Sequence, residues 1–435
     1  MSLRQWQFTL DSLKDLQHQL TKNNLHLNIL YGDALEIFKF LKDKYNFDSV
    51  ISEQETGIKW TFERDKKLKS FFLQNDIHWI ECAYPGVRRG HHDRNQWAKF
   101  FRKDILRYPN LPIIKQSINL GLKNYDLPKI FYDTTPCPNR QKGGSREAEK
   151  LLSTFLNSRG ENYQYEMSSP ISAEKSCSRL STHLTYGTIS HRSVFQEATQ
   201  KKEKIQLTNK NFAKSINSFL SRLHWRSHFI QKLEDQPSIE HESFIPVYDQ
   251  IREKDFRKLD AWIEGKTGVH FIDACMIYLR NHGWINFRMR AMLASFASYN
   301  LWLDWRYFGP RLAALFTDFE PGIHYSQLQM QSGTTGINTI RMYNPYKQAL
   351  DQDPEAKFIK SQLPEYNNFP PSFFFKPPEL SNNENLFNDS KLETIVDVTK
   401  TAKFARDKIF SIRKLPEHQK MAKNVFIRHG SRQNR

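Results

Sequence analysis

Two hydrophobic rhythms divide this 435-residue chain, and together they exclude most fold classes. Up to about residue 106, short apolar runs alternate with helically spaced segments; from Ser145 to about Gln362 only the helical spacing persists, with no convincing strand. In the first part Leu10, Leu13, Leu16 and Leu20 predict a helix over 10–22. LHLNILYG (25–32) predicts a buried strand ending at Gly32, and the helix after it is capped by Asp33. Strands are expected again at 48–54 and 77–83, with a helix over 61–75 between them. Strand, helix, strand at this spacing predicts a parallel sheet with right-handed crossovers. The chain opens on a helix, so the sheet is expected to lack its first strand. The predicted fold is an α/β N-terminal domain followed by a large all-α domain.

Breaker residues mark the boundaries. Pro109, Pro112, Pro128, Pro136, Pro138, Gly143 and Gly144 make residues 107–143 a linker between an α/β unit (1–106) and a helical unit (144–365). A Pro- and Asn-rich connector (366–390) precedes a basic tail (391–435) with twelve Lys/Arg against four Asp/Glu. Phe404, Ile409 and Ile412 give that tail enough apolar spacing for a helix lying on the body or on nucleic acid.

Composition narrows the function. A hydrophobic fraction of 39% with 13% aromatics supports a sizeable core and argues against wholesale disorder. No apolar run reaches the length of a membrane span, so no membrane partner is expected. The first residues lack the basic-then-apolar pattern of a signal peptide. Cys82, Cys137, Cys177 and Cys275 lie far apart without a CxxC pair, which predicts neither disulfides nor a metal site. The expectation is a reduced, cytoplasmic monomer, nucleoid-associated in a prokaryote. A net charge of +17 favours a polyanionic partner, because each phosphate that meets a cation releases a condensed counterion.

Some motifs fail on inspection. Gly265-Lys266-Thr267-Gly268 ends like a phosphate-binding loop, but Asp260 stands where that loop requires glycine. His91-His92-Asp93 has no ligand spacing and predicts a solvated loop, and the Asn388-Asp389-Ser390 sequon has no meaning without secretion. KSCSRLSTHLTYGTIS (175–190) is more informative: small hydroxyl residues and Arg179 at a helix start suit a diphosphate, although an ordinary Ser-rich cap has the same pattern. Trp225 beside Arg226 is a pairing that stacks on a base and holds a phosphate, or equally a core indole beside a surface cation. Four indoles (Trp262, Trp284, Trp302, Trp305) then fall within 44 residues. Buried arginines need carboxylates, so Arg290 is expected to pair with Asp318.

The block from about 140 to 365 resembles the flavin-binding domain of the cryptochrome/photolyase family. It carries W-x-E-G-K-T-G, G-W-x-x-x-R-x-R, A-S-F, L-D-W-R-x-F, S-R-L-S and R-x-Y-N-P in the family's order. TFERDKKLKSFFLQNDIHWIE and PGVRRGHHDRNQW resemble the family's antenna-type α/β domain more weakly. The resemblance implies FAD held by Tyr165, Cys177, Ser178, Arg179, Leu180, Ser181, Phe219 and Arg226, with Arg290, Asp318 and Glu320 along the folded cofactor. His324 falls where the family has an Asn near the flavin. Trp225 corresponds to the indole that stacks on a flipped pyrimidine dimer, and Asn286, Phe287, Arg288 and Gln348 fall at or beside DNA-contacting positions. Trp262 and Trp305 correspond to the outer and middle members of the family's electron relay.

Departures place the chain in a divergent branch. Arg222 replaces the family's lesion-binding acid, and the innermost relay indole falls on Gln327 or Leu328. Light-driven repair of cyclobutane pyrimidine dimers in damaged DNA is nonetheless the favoured expectation, on Trp225, Arg226 and the basic charge. The alternative is a photoreceptor of the cryptochrome kind without repair activity. Six-four repair is disfavoured: the eukaryotic-type His pair is absent near Asn286 and Phe287, and no cysteine lies beyond Cys275 for an iron–sulfur cluster. An antenna chromophore is doubtful, because a parallel sheet without an inner strand loses part of the crevice where ligands bind.

Overall fold

The architecture rests on a computed structural model that describes residues 1–90, 94–108, 113–121, 131–377 and 394–430. The 91–93 triplet, the 388–390 sequon, and parts of the linker, connector and tail lie outside the described residues. The first lobe holds helix α1 (Leu3–Thr21), helix α2 (Ala34–Tyr45), strand β1 (Ser49–Glu53), helix α3 (Lys59–Gln74) and strand β2 (His78–Cys82). β1 and β2 pair in parallel, Ser49 opposite His78 and Glu53 opposite Cys82. Asp33 caps α2, its carboxylate accepting from the N–H groups of Leu35 and Glu36.

The strand expected at 25–32 does not form. Residues 25–30 carry no ladder; instead the Asn28 side chain donates to Ile118 O (2.8 Å) and accepts from Leu120 N (3.0 Å). A lone extended segment satisfies its polar groups through such side-chain bonds when no neighbouring strand offers a ladder. The sheet therefore has two strands among the described residues, and Ile51 stays 70% exposed on it. Helix α1 also begins seven residues earlier than its leucine spacing predicts. Its first turn is anchored: buried Arg4 donates to the carbonyls of Arg280 (3.0 Å), Leu315 (3.0 Å) and Thr135 (3.2 Å), docking the first lobe on the second.

From Ser145 to Gln362 the described chain is helical with intervening turns, as the periodicity predicts. Its core gathers Trp262, Leu279, Met292, Phe296, Trp305 and Phe308, and a second cluster joins Phe155, Tyr163, Leu180 and Phe219. A 26-residue helix, Lys210–Asp235, about 39 Å long at the usual rise, lies between the lobes. Gln231 on this helix pairs both ways with the Arg88 backbone of the first lobe, each bond 2.8 Å. Basic residues 398–429 form two further helices, Val398–Arg413 and Pro416–His429. They pack on the body through Ala405, Ile409 and Val425 against Leu233, Tyr248 and Trp302.

Candidate functional site

A single cavity of about 1840 Å³ runs through the helical lobe. Its floor is the loop before the short helix Ser181–Thr185. Arg179 there has φ of +63°, a left-handed conformation that costs a side-chain-bearing residue energy unless its surroundings impose it. Two groups impose it. Arg159, projecting from a π turn (Phe155–Arg159), donates to Lys175 O and Cys177 O (both 2.7 Å), and Gln141 donates to Arg179 O (2.8 Å). The Arg179 guanidinium lies 3.7 Å above the Trp284 ring, a desolvated cation on an indole face. Burial pushes its pKa down, and the guanidinium stays charged.

The wall is built on ion pairs. Arg290 donates to Asp318 Oδ2 at 2.8 Å, the pair anticipated from the sequence. Arg226 donates to Glu320 Oε2 (2.7 Å), to Tyr84 Oη (2.8 Å) and to Leu184 O (3.1 Å). Burial works against the charge on Arg226, but Tyr84 and Glu320 more than offset it and hold its pKa above the usual value. Burial likewise pushes Glu320 up while Arg226 draws it back. The short, multiply bonded geometry supports an ionised pair. Burial takes the Cys177 thiol to about 12, so it is a neutral lining group, and lowers His324 to about 4, so its ring is neutral at physiological pH. His324 Nε2 bonds Gly309 O at 3.0 Å.

At the mouth the character changes. Trp225 is 40% exposed, with the Arg222 guanidinium 4.4 Å from its ring centroid and 5.6 Å from that of Phe287. Arg288 lines the cavity and donates to Gln348 Oε1 at 3.5 Å. Asn286 spends its amide N–H groups on Met167 O (3.1 Å) and Ser168 O (2.7 Å), leaving Oδ1 turned to the cavity without a donor.

Cys177, Ser178, Arg179, Leu180, Ser181, Phe219, Arg222, Trp225, Arg226, Asn286, Phe287, Arg288, Arg290, Asp318, Glu320 and His324 thus share one cavity lining. Tyr165 does not join them: it is 64% exposed, and Tyr163, 7% exposed, lines the cavity in its place. Gln348 reaches the cavity only through Arg288. Trp262 and Trp305 are buried in the core behind it; Trp262 packs on Phe308, and Trp305 donates to Ser243 Oγ at 3.0 Å. Trp305 connects to the lining through Tyr325, whose ring is 6.3 Å from Trp305 and 5.3 Å from His324. Trp262 has no solvent exposure. Sequence reasoning missed Tyr163, Arg159 and Tyr84: Tyr163 packs on Phe219, and Arg159 and Tyr84 act through hydrogen bonds across 16 to 142 positions that no local pattern records.

Buried polar atoms without partners among the described residues crowd this lining: Arg179 Nη1, Ser181 Oγ, Arg226 Nε, Asn286 Oδ1, Arg288 Nε, Asp318 Oδ1 and Gln327 Oε1. Unmet buried donors and acceptors are costly, so this set calls for a large polar ligand carrying both anionic and hydrogen-bonding groups. An α/β lobe docked on a helical lobe with such a cavity defines a protein that holds a nucleotide-like cofactor between helices. Residues 219–411 match the family model described as the FAD binding domain of DNA photolyase, and residues 1–85 match the model described as DNA photolyase. The chain belongs to the cryptochrome/photolyase family. The orphaned cation, hydroxyl and carboxylate atoms fit the diphosphate, ribityl and ring edges of FAD.

A deoxyribodipyrimidine photo-lyase of Halobacterium salinarum is 30% identical over 269 residues, 58% of this chain and 55% of that protein. The chain spans about half the length of the first curated relatives it matches. An archaeal photolyase from Sulfolobus tokodaii, crystallised with two FAD molecules, superposes with a TM-score of 0.75 at 25% identity over 94% of this chain and 89% of that one. The cryptochrome of Synechocystis sp. PCC6803 reaches 0.80 at 19% identity, covering 94% and 88%. Among the described residues, no helix is long and apolar enough to cross a membrane and no metal-ligand cluster occurs.

Proposed function

We propose that this protein binds FAD without a covalent bond and repairs cyclobutane pyrimidine dimers in DNA with light. The observation that carries this reading is the continuity of one cavity between the orphan-rich cradle at Arg179 and Asp318 and the aromatic mouth at Trp225 and Phe287. A cofactor in the cradle and a flipped-out base at the mouth would share one cavity, as an enzyme that works on an extruded base requires. Reduced FAD would supply a light-driven electron that splits the dimer and then returns.

The chain's own residues bind and orient. Arg179, Ser178 and Ser181 would hold the diphosphate, Arg290 and Asp318 would meet the flavin, and Asn286 Oδ1 would accept from a ligand amine. Neutral His324 offers no positive charge beside the flavin. Trp225 stacks on the lesion, and the damaged base is cheaper to extrude because it is already poorly paired. Arg222 holds a strand phosphate where relatives of the family carry a lesion-binding acid. Trp305, linked through Tyr325 to His324 on the cavity lining, would pass electrons toward a bound flavin. DNA as partner sets the compartment: the cytoplasm, at the nucleoid of a prokaryotic cell.

The test is Trp225→Ala, with affinity measured for dimer-containing and intact strands in parallel. Stacking is worth about 1–3 kcal/mol per base, so lesion affinity should drop roughly ten- to a hundredfold while intact-strand affinity barely moves. Equal losses on both strands would make Trp225 a structural residue. A wild type that releases flavin on denaturation but neither prefers nor repairs the dimer under blue light would leave the photoreceptor reading. One observation favours that second reading: the Arg222 guanidinium already covers the Trp225 face.

A further inference from the structure

The cavity is larger than its cofactor cradle needs. Single-ligand pockets run to roughly 300–1,000 Å³, and this one continues beyond Trp225 along the long helix to the last helix of the described chain. There its lining changes to His228, Phe229 and Lys232 on one side and Phe426 and His429 on the other. Arg222 and Lys232 are ten residues apart, about 15 Å along the helix axis, so this arm is a place apart from the mouth at Arg222 and Trp225.

Lys232 is 7% exposed, and among the described residues its ammonium makes no hydrogen bond or ion pair; it lies 5.2 Å from the Phe229 ring centroid. One turn earlier on the same face, His228 Nδ1 accepts a short hydrogen bond from Arg94 of the first lobe. His429 bonds Gln236 Oε1 through Nε2 (2.7 Å), and its Nδ1 is buried without a partner among the described residues. The nearby acids are engaged elsewhere: Glu234 Oε1 accepts from Arg89 (3.0 Å) and Asp235 Oδ1 from Gln231 (2.7 Å). A buried ammonium that has no ion pair among the described residues and faces a cavity is costly unless an anion joins it.

We propose that this arm is a phosphate site, distinct from the cofactor cradle, in which Lys232, His228 and His429 face the bound group and Arg94 supports it from behind. The last helix, Pro416–His429, lies beyond the residues that match the FAD-binding family model. Burial first, then Arg94, lowers Lys232 to about 8, and burial with Lys232 and its neighbours lowers His429 to about 3. A bound phosphate would raise both. Phosphate can arrive on a DNA strand, which rests on the repair reading, or as a free phosphate ester, which does not.

The experiment uses the full chain with its flavin bound and titrates inorganic phosphate by calorimetry at constant ionic strength. Wild type should saturate at one phosphate per chain. Lys232→Met, which keeps the stem and removes the charge, should weaken binding at least tenfold; His429→Gln should weaken it severalfold; Lys232→Arg should stay within about threefold. Flavin content should be unchanged in all three. Phosphate binding that no variant alters overturns the site, and flavin loss in Lys232→Met would hand this residue to the cradle and overturn it equally. A final arm adds an undamaged single-stranded oligonucleotide. Displacement of phosphate identifies the strand as its source, and persistence identifies a free phosphate ester; both support the site, and neither depends on repair activity.

Discussion

Tyr163 and Tyr165 stand two positions apart on one short helix, where two residues are separated by about 200° of rotation. One ring must therefore point inward if the other points out. Tyr163 faces the cavity and packs edge-on to Phe155 at 5.7 Å, and Tyr165 faces solvent. The resemblance named the wrong member of this pair for a cavity role, because a motif match carries no phase. Tyr165→Ala should leave flavin affinity within about twofold. Tyr163→Ala should lower stability by about 3–5 kcal/mol, as truncating a buried aromatic does, and weaken flavin retention. Chemical denaturation and flavin titration of both variants check this. The Arg290–Asp318 pair is the opposite case, legible from residue types alone because a buried guanidinium has few alternatives to a carboxylate.

At the scale of elements, Gly265-Lys266-Thr267-Gly268 shows what a failed phosphate loop does instead. Gly265 ends the helix Phe256–Glu264 in the left-handed region, with φ of +72°. Asp273, in the first turn of the next helix, then gathers Thr267 N (2.8 Å), Thr267 Oγ1 (2.7 Å) and Gly268 N (2.9 Å) on its carboxylate. The nitrogens a phosphate would have used are spent on this internal cap. Burial outweighs those bonds and raises Asp273 to about 6 from an ordinary 3.8. Between these values the folded chain binds more protons than the unfolded one, so this group's contribution is full below pH 3.8 and lost as pH rises through about 6. Asp273→Asn should remove a stability change of roughly 3 kcal/mol over that window. Denaturation midpoints of wild type and variant at pH 4 and pH 7 test it; parallel pH profiles would disprove it.

For the whole molecule, the two-stranded sheet and the cavity lie on different lobes, and the number of bound chromophores follows from what each lobe offers. Among the described residues the sheet of the first lobe has only two strands, β1 and β2, with Ile51 and Ile80 left exposed, which leaves little of the crevice that a wider parallel sheet offers at its strand ends. The helical lobe holds the large cavity. One flavin per chain is therefore expected after mild purification, with no stoichiometric second chromophore. The Sulfolobus tokodaii photolyase, with two FAD molecules, supplies the contrasting case. Flavin-to-protein ratio and mass spectrometry of the released chromophores decide it, and two equivalents would refute the expectation.

How much was legible follows from the range of the interactions. The α2 cap at Asp33 and the helical run from Ser145 could be inferred because each depends on spacing within a turn or two. Several site residues could be named because ordered motifs transfer position by position, and the cavity does gather Arg179, Trp225, Asp318 and His324. The missing ladder at 25–32 was not legible, since a strand needs a neighbour and no segment carries its partner's address. Tyr84 reaching Arg226 across 142 positions, Arg94 reaching His228 across 134 and His429 reaching Gln236 across 193 were equally out of view. Local pattern sets which faces are apolar and where helices begin; the packing of those faces then brings distant polar groups to one place, and burial there sets their charge.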